Sequence, residues 1–363
     1  MGTLNVNSTC KCLVFLGCAA LAVLLLAGGL SAQKAGTDAV QLTAGGQPVT
    51  GAVIKESWRG VEIDTDGDGQ ANATYPLSQV VKVNYGNDHY PLYLSKAKLL
   101  AHAKGKEQEY LDEMQEAYRD RETSPWVLQH AYYDIAQKYM EMAQKEDKYL
   151  PLALQAYDKL LTDIPETRYA PEVRLSEANM FFQRGELDEA HKRLAPLYGK
   201  GFDPAIEARG LMLDVQILLL GDKPDQAETV LGKVSPTLAD AHLKSIMIVL
   251  RAEVQIAKKQ FDPAYQALVK VVADKTDDSV KAEACAALGD LLRLNARPED
   301  ALLAYLRAKL MYKDVDPFTQ ARILVGAIEC CDKLERQDKA REFREEIRTQ
   351  FPNSVWLKKV KQP

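Results

Sequence analysis

At 363 residues, with 47% hydrophobic and 27% charged residues, the chain can hold two or more folded parts and is too apolar to stay disordered. Its net charge of −5 gives no basic footprint for nucleic acid and would repel anionic lipid headgroups. Nucleic acid is excluded as a partner, and a membrane is expected to be met only through the N-terminus.

That N-terminus carries an uncharged 18-residue run, Leu13 to Leu30, preceded by Lys11 and followed by Ser31-Ala32-Gln33. The run is short for a bilayer span and slightly long for a signal-peptide core. With the small Ala32 at its end, residues 1–32 read as a signal peptide or an uncleaved anchor. Either way the remainder is expected to be exported. Of six cysteines, Cys10, Cys12 and Cys18 lie in this segment. Cys18 sits inside the apolar run rather than at its end, so lipidation is not expected there. Cys285, Cys330 and Cys331 form no paired Cys-x-x-Cys framework for zinc and read as small helix residues.

Residues 33–38 form a short polar linker. From 39 to 88 the period is two: Val40 and Leu42, then Val49, Gly51 and Val53, Val61 and Ile63, and Val81, Val83 and Tyr85. Turn formers separate these runs at Gly45-Gly46, Asp64 to Gly69 and Pro76. Such alternation predicts about five antiparallel strands in a small barrel-like all-β domain. The pattern Val40-x-Leu42-x-x-Gly45-Gly46-x-x-Val49-x-Gly51-x-Val53 resembles the first half of an Sm-like or SH3-like barrel. The Arg-Gly pair that the Sm family uses on RNA has no counterpart near Val80 to Asn84, so the resemblance implies a packing or interaction module. Inside it, Asp64, Asp66 and Asp68 alternate as in the first half of a calcium loop. Tyr75 stands where the loop's bidentate Glu belongs, and the repeated Asp-Gly is also a hairpin-turn signal. Both readings stay open from residues alone.

After Pro91 the period becomes helical, over about 90–361. Five capping-oxygen–proline pairs mark helix starts: Ser124-Pro125, Asp203-Pro204, Ser235-Pro236, Asp262-Pro263 and Asp316-Pro317. Alanines at 153, 190, 227, 264 and 301 stand 37 residues apart, and Ala340 follows after 39. A fixed period of this size predicts a stacked array, here of about seven helical hairpins. Ala153-x-x-x-Tyr157-x-x-Leu160-x-x-x-x-Pro165 and Ala301-x-x-x-Tyr305-x-x-Ala308 resemble the second helix of tetratricopeptide repeats. Ala178, Ala252 and Gly289 supply that family's small residue twelve positions earlier, Val215 does not, and no Trp-x-x-Leu-Gly start is present. The resemblance implies a mainly α fold: a right-handed solenoid whose first helices line a concave, peptide-binding groove. The tail Thr349 to Ser354 also resembles the repeat ends of bacterial envelope-assembly members, with residues 355–360 as a closing helix.

Eleven residues before each alanine stand Asn179, Gln216, Glu253 and Asp290, polar positions in otherwise apolar helices. The expectation is a ladder contacting an extended peptide, with Arg209, Arg251 and Arg293 nearby to clamp carboxylates. Catalysis finds no foothold: His89, His102, His130, His191 and His242 are scattered singly, and no nucleophile elbow, phosphate loop or zincin motif occurs. The sequence therefore predicts a scaffold or adaptor in the cell envelope. It needs no cofactor, its partners are other proteins or peptides, and self-association is open to it. A calcium module supported by the helices is the alternative.

Overall fold

The computed structural model describes residues 37–43, 45–86, 91–100, 103, 105–234, 240–313 and 315–360. The N-terminal segment with its three cysteines, His89, His102 and the Ser235-Pro236 cap lie outside them. No described helix is long and apolar enough to cross a membrane.

Five strands form an antiparallel sheet in the order β4-β3-β2-β1-β5: β1 (Asp38–Leu42), β2 (Val49–Ser57), β3 (Gly60–Asp64), β4 (Ala73–Tyr75) and β5 (Val80–Asn84). The first half of β2 pairs with β1 and the second half with β3, with a register shift between Val53 and Lys55. Gly51 stands at the changeover, where a Cβ would lie 2.0 Å from the Asp64 carbonyl oxygen. Only glycine lets the two backbones approach so closely. The edge strands β4 and β5 are joined by a 3-10 turn at Leu77–Gln79 and share no ladder among the described residues. A bent open sheet is thus what is seen of the expected barrel. Val40, Val61, Ile63 and Val80 form its core. The alternation has the wrong phase in β5: Val80 is buried and Val81 exposed. A slip between Gln41 and Leu42 pairs Leu42 with Val80, and one residue of slip flips the strand's faces.

Fifteen described α-helices follow, as seven hairpins and a closing helix. The hairpins are α1 (Leu92–Leu100) with α2 (Glu107–Gln115), α3 (Pro125–Ala143) with α4 (Leu150–Asp163), and α5 (Ala170–Arg184) with α6 (Leu187–Leu194). Then come α7 (Pro204–Leu220) with α8 (Pro224–Leu231), α9 (Ala241–Ala257) with α10 (Phe261–Ala273), and α11 (Asp278–Leu294) with α12 (Pro298–Met311). The last pair is α13 (Pro317–Lys333) with α14 (Gln337–Gln350), and α15 (Val355–Lys359) closes the chain. This is a stacked array of antiparallel helical hairpins. Ser124, Asp203 and Asp316 cap their helices through N–H groups of the first turn. Asp262 does not: α10 begins a residue earlier, at Phe261 behind Gln260, so Asp262 lies inside the first turn. Asp240 caps α9.

Each hairpin turn from the third onward repeats one backbone device. Gly185, Asp222, Lys259, Ala296 and Glu335 all have φ between 55° and 78°. After each, an N–H reaches back to the carbonyl five residues earlier, as from Glu186 to Phe181 and from Arg297 to Leu292. This Schellman closure satisfies the last carbonyls of one helix and turns the chain into the next. All six beat alanines, Ala153 through Ala340, are fully buried between their helices. Ala264→Leu is therefore expected to cost about 1–3 kcal/mol by overpacking the α9–α10 contact, read from urea denaturation. An unchanged midpoint would remove the alanine's close-packing role.

Candidate functional site

The first helices α5, α7, α9, α11 and α13 lie side by side and bend into a closed circle. Phe182 on α5 meets Phe318 on α13 with ring centroids 4.3 Å apart. Two cavities occupy the inside. The larger, about 670 Å³, lies between the sheet and the N-terminal halves of α5, α7 and α9. Trp58 and Phe202 stand edge to face at 4.8 Å on its wall, which joins the sheet to the helices. The smaller, about 230 Å³, lies among the C-terminal halves of α5, α7, α9 and α11 and is bounded by Phe318, Arg322 and Trp356.

The ladder divides between them. Asn179 and Gln216 line the larger cavity, while Gln216, Glu253 and Asp290 line the smaller one. Neither carboxamide hydrogen-bonds to any described residue, whereas both carboxylates are consumed. Arg322 bridges Glu253 and Asp290, its Nε donating to Asp290 Oδ2 at 2.7 Å and its Nη1 to Glu253. Asp290 also accepts from the Tyr305 hydroxyl at 2.6 Å. Burial works to raise the Asp290 carboxyl, but the charges of Arg322 and Arg293 and the Tyr305 bond outweigh it and hold it below the usual range. The acidic rungs are thus a built-in ion-pair cluster, and the amide rungs are free.

The three arginines do not form a clamp. Arg209 is bound in fork fashion by Glu172, at 2.6 and 3.0 Å. Arg293 pairs with Asp290 at 3.3 Å and Glu329 at 2.7 Å. Arg251 is exposed and lines neither cavity.

A second line of residues was missed, save for Arg209. Glu172, Arg209, Ile246 and Glu283 stand seven residues before the ladder positions, two helical turns away on the same face, and all line the larger cavity. The same 37-residue arithmetic would have found them. Burial, and then the nearby Asp316 and Glu253, push the Glu283 carboxyl from 4.5 up to about 8 against the pull of Arg322. A raised native value means stability present below the unfolded value and lost as pH rises through about 8. Glu283→Gln is expected to melt like the parent near pH 5 and several degrees higher near pH 8.5, in thermal scans across that range. Parallel curves would overturn this.

The sheet is fastened to the array by a polar junction that no local pattern announces. Glu56, fully buried, accepts from the Tyr85 hydroxyl, pairs with Arg168, and lies 3.1 Å from His130 Nε2. Buried Gln129 donates to the Glu56 carbonyl at 3.2 Å and accepts from the Thr167 hydroxyl at 2.7 Å. Ser57 and Thr167 make an isolated antiparallel bridge, so the loop between α4 and α5 extends the edge of β2. Desolvation favours the neutral acid, yet His130, Arg168 and Tyr85 together keep the Glu56 carboxyl below its usual range. These partners come from the sheet, α3 and the α4–α5 loop, so the cluster joins the sheet to the array.

At the β3–β4 turn, Asp64, Asp66 and Asp68 offer oxygens within 4.8 Å of one another. The Asp64 carboxylate already accepts N–H groups from Asp66, Gly67 and Gly69, at 3.2, 2.7 and 2.8 Å. These bonds, those of Gly67 and Gly69 foremost, lower its pKa. Calcium chloride titrated into the protein is expected to give no binding heat. Saturable heat that is lost in Asp66→Asn would restore the ligand reading.

No family model matches the chain, and no curated protein matches it. Among solved structures it is similar to PilW, described as a widely conserved type IV pilus biogenesis factor. Identity is 16% over 64% of this chain and 98% of that one, with a TM-score of 0.40. It is also similar to a signal transduction ATPase with numerous domains from Pyrococcus horikoshii that carries a tetratricopeptide repeat sensor. There identity is 14% over 76% of this chain and 43% of that one, with a TM-score of 0.41. At scores of this size the chemistry of the site has to come from its own residues.

Proposed function

We propose that this tetratricopeptide-like array is a non-enzymatic binding scaffold, exported into a bacterial cell envelope, that holds an extended segment of a partner protein in the larger cavity. The observation that carries this reading is the pair of free carboxamides, Asn179 and Gln216, one repeat apart on one cavity wall. A carboxamide both donates and accepts, so it matches the N–H and C=O of a peptide backbone without demanding a particular side chain. Trp58 and Phe202 add an aromatic surface for one apolar side chain of the guest. The apolar run Leu13 to Leu30 supports export, with tethering if it is retained.

Asn179→Ala combined with Gln216→Ala is the test. The double variant is expected to keep the parent's melting temperature and to lose crosslinked partner capture from the native envelope fraction. Undiminished capture by the folded double variant would sink the idea.

A further inference from the structure

We propose that α15 is a plug: residues 354–360 occupy the far end of the groove as an internal ligand, closing the circle of helices and limiting what the groove admits. This rests on the groove reading for its consequence, but its test stands apart.

An end cap has to cover only the last hairpin's apolar face. Trp356, Leu357 and Val360 do that, packing on the C-terminal core. With Asn353 just ahead of it, the segment then goes further and reaches the second and third hairpins. Asn353 Nδ2 donates to the carbonyls of Ala143 and Gln144 at the end of α3, at 3.2 and 3.4 Å. Lys358 Nζ donates to the Arg184 carbonyl at the end of α5, at 3.0 Å. Both use carbonyls that helix ends leave open, and the lysine also suits the negative end of the helix dipole. Val355 sits on Gly185, where a Cβ would come within 2.5 Å of Val355 Cγ2. Trp356 lies 5.4 Å from Phe318, extending the Phe182–Phe318 contact that shuts the circle. Trp356 and Lys359 both line the smaller cavity beside Gln216, Glu253 and Asp290. The occupant is therefore one helical turn presenting an aromatic ring with a lysine over its face, at 4.5 Å.

The seam is built to open. A helix of five residues has no stability of its own and depends on these tertiary contacts. Two buried donors at the seam, Trp356 Nε1 and Arg184 Nη1, have no acceptor. Each bears its desolvation cost without a bond in return. Among the described residues, the seam's polar contacts with the second and third hairpins run through one amide and one ammonium group.

A chain ending at Asn353 and a labelled peptide of residues 350–363 provide the test. The peptide is expected to bind the shortened chain saturably in fluorescence anisotropy, and the full chain at least about tenfold more weakly, since the resident plug must first leave. The shortened chain is also expected to show a larger radius of gyration in X-ray scattering. Equal affinity for both chains, or no binding to a shortened chain of parental helicity, overturns the plug. Should the shortened chain fail to fold, Trp356→Ala in the full chain gives the same comparison. Tighter peptide binding supports the plug and unchanged binding overturns it. Asn179 does not line the smaller cavity, so Asn179→Ala is expected to leave peptide binding intact. Failure of the carboxamide test thus stays separate from failure of the plug.

Discussion

Replacing Glu56 with alanine is expected to cost about 3–5 kcal/mol, because it strands the other members of a buried ionic junction. Arg168, His130, Gln129 and the Tyr85 hydroxyl would all lose a partner at once. The sheet should then release from α3 and the α4–α5 loop before the array melts. Trp58 and Trp126 report this directly: one packs on Phe202 and the other donates its indole N–H to the Ile54 carbonyl. Tryptophan fluorescence during urea denaturation is expected to show an early transition in Glu56→Ala that circular dichroism at helical wavelengths does not share. Coincident, unshifted curves would deny the joint its role. Acid gives the same result in the parent. A lowered native carboxyl contributes stability above its unfolded value of about 4.5, and that stability is lost as pH falls through the native one. With Glu283 destabilising progressively as pH rises from about 4.5 toward 8, stability should peak in mildly acidic solution.

The second large effect is expected at Tyr305. Its ring is fully buried between two glycines of neighbouring first helices: a Cβ on Gly289 would lie 2.5 Å from the ring and one on Gly326 2.2 Å from it. Its hydroxyl meanwhile donates to Asp290. Tyr305→Ala should cost about 3–5 kcal/mol through the cavity left behind. Tyr305→Phe keeps the ring and should cost about 1.5–3 kcal/mol, the worth of a hydrogen bond to a charged acceptor. Gly326→Ala forces the ring out and should fall between them or exceed both. Denaturant midpoints rank the three, and a phenylalanine variant as damaged as the alanine one would contradict the packing argument.

The recurring alanine was legible because it answers one local demand, close approach of two helices, repeated without change. The aromatic–glycine lock at Tyr305 was half legible: Gly289 and Tyr305 fit the family pattern, while Gly326 lies one unit further on. The left-handed turn residue escaped notice since four of its five instances are not glycine. Strand alternation revealed four strands of the sheet, gave no run for the three-residue β4, and lost phase in β5, where a bulge breaks the count. The ladder's four positions line the two cavities, but periodicity treats them alike. Arg322, from a later helix, makes two of them unavailable. The Glu56 junction and the closing of the circle were illegible for one shared reason. They join residues 29 to 210 positions apart on different elements, so no local pattern announces their meeting.

The most direct measurement places a photoreactive residue at Asn179, inside the groove, and separately at Leu303, which is 66% exposed and lines neither cavity. Irradiation in the native envelope is expected to give discrete protein adducts from position 179 and none from 303. Adducts from 303 alone, or equally from both, would contradict a binding groove on the first helices.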